Sequence, residues 1–161
     1  MRITTWNVNG LRAVLGKGML EGIQPLNADV LCLQEIKARP EQLDKAHLEA
    51  IAAAYPSLCW NPAQRRGYIV TATWAYPAPD SITHGLGAPE YDDEGRVIVH
   101  RYGDIHLYNI YFPNGGRSLE RVPYKLDFYA YLLEQCDQLH AQGKQIIICG
   151  DFNTSHQEID L

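Results

Sequence analysis

Apolar and polar positions along this chain follow two periods, and the switching between them predicts alternating strand and helix. Short runs rich in apolar and β-branched residues predict strands near 2–8, 29–34, 56–60, 68–74, 96–102, 105–112 and 145–150. Stretches with apolar residues three and four apart predict helices near 11–24, 40–54 and 122–142. The last is the sharpest. Leu126, Tyr129, Leu132, Leu133, Cys136 and Leu139 recur at helical spacing, Pro123 suits a first turn and Gly143 stops the helix. Tyr124, Tyr129 and Tyr131 therefore read as packing or surface residues, not as a platform for stacking bases. A Gly103-Asp104 turn should join 96–102 to 105–112 as a hairpin. Residues 76–95, rich in Pro and Gly, carry no periodic signal.

Polar residues gather where three of the strands end. Ile146-Ile147-Ile148-Cys149 runs into Gly150-Asp151-Phe152-Asn153, delivering a carboxylate and an amide from a buried strand into a loop. Asp151 and Asn153 lie two apart, so in extended backbone their side chains leave on one side. That pairing suits a hard cation or the handling of water beside a phosphate. The strand at 2–8 similarly ends in Asn7, and Val30-Leu31-Cys32-Leu33-Gln34 ends in Glu35. Singly, Asn7 reads as a turn cap, Glu35 as a solvated strand end and Gly-Asp as an ordinary turn. Together they predict convergence of Asn7, Glu35, Asp151 and Asn153 at the carboxyl ends of strands in one sheet.

Composition narrows the class. A chain of 161 residues with 46% hydrophobic content is globular and long enough for a sizeable core. No segment approaches the roughly 18 uninterrupted apolar residues of a membrane span, and Met1-Arg2-Ile3-Thr4 enters a strand with no signal-peptide core. A cytoplasmic, intracellular protein without a membrane partner is expected. Cys32, Cys59, Cys136 and Cys149 show no paired spacing and read as reduced core thiols. The six histidines have no metal-ligand spacing; His100 and His106 read as a surface pair on facing strands, and His156 as an exposed loop residue. A net charge of −5 weighs against nonspecific nucleic-acid binding. Against that, Arg12 with Lys17, Arg65 with Arg66, and Arg117, Arg121 and Lys125 form local basic clusters.

The motifs at 6–13 (Trp-Asn-Val-Asn-Gly-Leu-Arg-Ala), 33–37 (Leu-Gln-Glu-Ile-Lys) and 94–98 (Glu-Gly-Arg-Val-Ile) resemble the exonuclease III family of abasic-site endonucleases. So do Tyr-Phe-Pro-Asn-Gly-Gly-Arg at 111–117, Gly-Asp-Phe-Asn at 150–153 and the closing Glu-Ile-Asp-Leu at 158–161, in the same order. The resemblance implies an α/β fold, the N-terminal half of a four-layer α/β sandwich of the DNase I-like kind, with mixed sheet and flanking helices. It implies Mg2+, with Mn2+ able to substitute, held chiefly by Glu35 with Asn7 close by and Asp151 and Asn153 completing the metal-site set. Asp151 would handle the attacking water, Asn153 would orient it or stabilise charge, and Tyr111 would stabilise the transition state. Arg12, Tyr68, Asn114 and Arg117 would touch DNA. The implied substrate is double-stranded DNA with abasic sites, cleaved 5′ to the lesion, with 3′–5′ exonuclease action alongside.

Two departures from the family pattern stand out. The family continues into a second half with a further aspartate and a Ser-Asp-His motif, so residues 1–161 are expected to form an incomplete domain. Its activity is then expected to be impaired, and a catalytically incapable fragment or a phosphomonoesterase of the same superfamily are the competing readings. One sheet of the pair would be missing. The face lined by alternate residues of 2–8, 29–34 and 145–150 would stay open and favour self-association. Second, Val70 stands where the family usually has glycine, which puts the role of Tyr68 in doubt.

Overall fold

A computed structural model describes residues 1–62, 69–116, 118–155 and 157. Tyr68, Arg117, Arg65, Arg66 and His156 lie outside the described residues. The described residues form two four-stranded mixed sheets. The first has the order β1-β2-β4-β3, with β1 Ile3–Asn7, β2 Val30–Gln34, β3 Ser57–Pro62 and β4 Ile69–Ala75. The second runs β5-β6-β7-β8, with β5 Ser81–His84, β6 Val97–Tyr102, β7 Ile105–Tyr111 and β8 Gln145–Asp151. Each sheet holds one parallel pair, β1 with β2 and β7 with β8, and the remaining pairs are antiparallel.

The sheets pack face to face with helices outside, giving four layers. Every residue of β2 is buried, because both of its faces are covered. Leu31 and Leu33 turn outward to α1 (Leu11–Leu15), α2 (Met19–Ile23) and α3 (Lys45–Ala54), joining Leu11, Leu15, Met19, Ile23, Ile51 and Trp74 in one core. Val30 and Cys32 turn inward and meet Leu107 of the second sheet, with Ile3 and Cys149 at the margin. On the far side, Tyr108, Ile110 and Phe112 pack against Phe128, Leu132 and Cys136 of a long helix, Val122–Ala141. The α/β sandwich implied by the resemblance is present, but the expected open face is not. Each sheet covers the other, and self-association cannot use that face.

All seven predicted strands form, and an eighth, β5, lies in the region without periodic signal. Its four residues are all exposed at a sheet edge, so no apolar run marks them. The same region holds a short helix, α4 (Pro89–Asp92), which makes Val122–Ala141 α5. The helix predicted over 11–24 breaks into α1 and α2, because Gly18 between them takes φ 80°, a left-handed conformation that glycine enters without strain. The helix predicted from 40 starts later: Pro40–Gln42 is a single 3-10 turn, and α3 begins at Lys45. His100 is fully buried rather than a surface residue, and its strand partner is Leu107, not His106. Val70 is buried in β4, where its carbonyl accepts from the Ile36 amide at 3.4 Å, and its φ is not positive, so valine fits without strain.

Candidate active site

The carboxyl ends of the two parallel pairs lie together, and their terminal side chains meet across the gap between the sheets. Asn7 ends β1, and Glu35 follows β2 directly. Tyr111 and Asp151 are register partners at the ends of β7 and β8. Convergence therefore occurs as expected, but at the junction of two sheets instead of the end of one. The reason is that apolar runs show where strands end, not which strands pair.

One amide holds the site together. Asn7 Nδ2 donates to Glu35 Oε1 at 3.1 Å and to Asp151 Oδ2 at 2.7 Å, so the two carboxylates face each other across a single nitrogen. Tyr111 donates its hydroxyl to Glu35 Oε1 at 2.8 Å. The Lys37 ammonium lies 2.6 Å from Glu35 Oε2. Burial would raise the Glu35 pKa, but hydrogen bonds from Lys37, Asn7 and Tyr111 outweigh it and hold the carboxyl below its ordinary value. Burial, and then the bond to Glu35, push the Tyr111 hydroxyl up to about 12, so it stays a neutral donor.

Asn153 closes the other side. Its φ of 49° folds the loop back, letting its amide donate to Asp151 Oδ1 at 2.9 Å and its Nδ2 to the Phe112 carbonyl at 2.8 Å. Lys125 from α5 clamps the Asn153 carbonyl at 2.6 Å. Gly150 makes this approach sterically feasible. A Cβ there would lie 1.9 Å from the Ile110 carbonyl oxygen, and its φ of 136° suits glycine alone.

Asn7, Glu35, Tyr111, Asp151 and Asn153 thus come together. Arg12 is exposed beside them, lining an open depression of 530 Å3 with Lys37, Gln42 and His47. Asn114 is exposed in its own turn, where its Oδ1 accepts from the Gly116 amide at 3.2 Å.

Four further residues support the site; three of them, Gln34, Lys37 and Arg96, lie within the family motifs at 33–37 and 94–98, and Asn109 lies outside them. Gln34 and Asn109, both buried, bridge the sheets directly behind it through a 2.7 Å bond from Gln34 Nε2 to Asn109 Oδ1. Their signal was polarity within apolar strands. Arg96, also buried, donates to the Tyr111 carbonyl at 2.9 Å and lies 5.1 Å from that residue's ring centroid. Lys37 is the fourth.

Such a donor set is oxygen-rich and suits a hard cation. Among the described residues no three His, Cys, Asp or Glu side chains form a metal-ligand cluster. A cation here would rest on one or two carboxylates and water, an arrangement Mg2+ accepts.

Residues 4–161 match the model of the Endonuclease/Exonuclease/phosphatase family. The chain belongs to that family. It is 38% identical over its whole length to an exodeoxyribonuclease of Bacillus subtilis, and 40% identical to a DNA-(apurinic or apyrimidinic site) endonuclease of Dictyostelium discoideum. An AP endonuclease from Archaeoglobus fulgidus superposes with TM-score 0.79 at 26% identity, covering 100% of this chain and 61% of that one. The chain spans 62% of the length of the first relative and 44% of the second.

Proposed function

We propose that this chain carries the catalytic carboxylates of a DNA-repair phosphodiesterase that uses Mg2+, or Mn2+ in its place, to cleave double-stranded DNA 5′ to abasic sites. The observation that carries the reading is the Asn7 amide bonded to both Glu35 and Asp151, with Tyr111 on the same Glu35 oxygen. Glu35, held ionised by its partners, is the residue to hold the cation, with Asn7 fixing its orientation. The bound cation would supply Lewis acidity at a phosphate oxygen.

Asp151 is the residue to orient a water, since its Oδ1 is anchored by the Asn153 amide and its carboxylate faces the gap. Asn153 donates from Nδ2 to the Phe112 carbonyl and its side chain also hydrogen-bonds the Tyr111 hydroxyl, so it would have to redirect that second bond to meet a phosphate. Tyr111, protonated throughout the working range, can redirect its hydroxyl from Glu35 toward developing charge. Arg12 would neutralise a neighbouring backbone phosphate from the adjoining depression.

The test is incision of a duplex carrying one abasic site, with Mg2+ present or chelated. Removing one preorganised group should cost roughly 10²-fold or more in rate, so Asp151→Asn should read as a blank. Cleavage that survives both chelation and Asp151→Asn would refute the reading.

A further inference from the structure

Glu35 already holds a positive charge, and it holds it on one particular oxygen. Oε1 takes hydrogen bonds from Asn7 and Tyr111, while Oε2 takes the Lys37 ammonium at 2.6 Å. The same ammonium donates to Asn9 Oδ1, so it is fixed from two sides. Backbone geometry points the same way. Glu35, Lys37 and Asn9 take φ of 53°, 52° and 45°, a left-handed region that costs non-glycine residues energy. The Gly10 amide bonded to the Glu35 carbonyl at 2.7 Å, and Leu11 to Ile36 at 2.9 Å, lash the two loops together in this form. An ordinary surface ion pair needs none of this support.

We propose that Lys37 is a built-in competitor for the cation at Glu35, setting how much divalent metal the site needs before it fills. This rests on the reading of Glu35 as the cation-holding carboxylate. A divalent ion approaching Oε2 meets the ammonium's charge and must displace its hydrogen bond. Lys37 can yield without being stranded, because Asn9 still accepts from it and the depression beside Arg12 is open to solvent. When the ion is absent, Lys37 keeps the carboxylate ionised and in position, so the site does not collapse between fillings.

Mn2+ titration of the chain without nucleic acid, followed by calorimetry or paramagnetic resonance, tests this. Side-chain exposures of 36% for Lys37 and 19% for Glu35 mean that solvent screens part of the repulsion. Removing it should tighten Mn2+ binding roughly tenfold. Lys37→Met and Lys37→Gln should both show the gain, the glutamine retaining a hydrogen bond to Glu35 if methionine unsettles the loop. Lys37→Arg should stay near wild type. Unchanged or weaker binding in both neutral variants, with Glu35→Gln abolishing it, overturns the competition and leaves the ligand reading intact. Unchanged Mn2+ binding in Glu35→Gln removes the ligand reading, and the proposal with it.

Discussion

At the scale of single residues, two buried cation-forming side chains behave in opposite ways. Arg96 is charged and fully engaged: it donates to Glu94 at 2.5 Å and to the Tyr111 and Phe112 carbonyls, and Arg121 shares the same glutamate. Removing one partner of a buried pair leaves the rest uncompensated, so Arg96→Met should cost about 2–3 kcal/mol, discounted because Glu94 is partly exposed. Urea titration measures it, and a loss under 0.5 kcal/mol would mean the network is idle.

His100 is buried and neutral, and its Nε2 has no partner among the described residues. Burial, then the nearby His84, push its pKa down to about 4. The unfolded chain binds a proton near pH 6.5 that the folded chain refuses until about 4. Stability is therefore full above the unfolded value and falls as pH drops through that window, by up to about 3 kcal/mol. Glu35 and Glu94, with lowered values, add a further loss at lower pH, as pH falls through their folded values. Urea midpoints between pH 7 and 4.5 check this, and the slope should flatten in His100→Leu.

At the scale of elements, the junction between sheets rests on a few polar contacts. Asn109 Nδ2 donates to the Ala72 carbonyl at 2.8 Å and to Thr73 Oγ1 at 3.0 Å while its Oδ1 accepts from Gln34. Asn109→Ala would strand these groups out of reach of water, for a loss of about 2–3 kcal/mol. Because Asn109 ties β7 to β2 and β4 of the facing sheet, the gap holding Glu35 and Asp151 should also widen. A variant with wild-type stability would show that water replaces the lost bonds.

These elements also show what the sequence could and could not reveal. Seven strands and α5 were legible because burial demands apolar runs with a fixed period. Clustering of Asn7, Glu35, Asp151 and Asn153 was legible as polarity at strand ends, and the family motifs marked the same positions. The division into two sheets was not, since pairing is a long-range choice that local pattern leaves open. Nor was β5, an exposed edge held by its ladder with β6 and by a 3.1 Å contact between His84 Nε2 and Cys59 Sγ. Lys37 and Arg96 stand within the family motifs at 33–37 and 94–98, but the motifs gave them no role. Their importance comes from neighbours far along the chain, Asn9 for one and Tyr111 for the other.

At the scale of the whole molecule, the expectation of an open sheet face gives way to one of open edges. The inner faces are tied by Val30, Cys32, Ala75 and Leu107, and by the Gln34–Asn109 bridge, so the two sheets should unfold in one cooperative transition. The first sheet ends at β1 and the second at β8, and these edge strands pack against each other on one side of the sandwich. Trp6 on β1 and Ile147 on β8 remain 39% and 37% exposed. Among the described residues no further strand pairs with either edge, and two adjacent edges with apolar side chains form a template for strand addition. The 161-residue chain should therefore associate as its concentration rises, while each subunit keeps its native core. A charge placed on the edge blocks such pairing in natural sheets, so Ile147→Lys should restore the monomer without lowering the unfolding midpoint by more than a degree or so. Sedimentation velocity across a concentration series decides it: a wild-type chain that stays monomeric throughout would show that these edges are already protected.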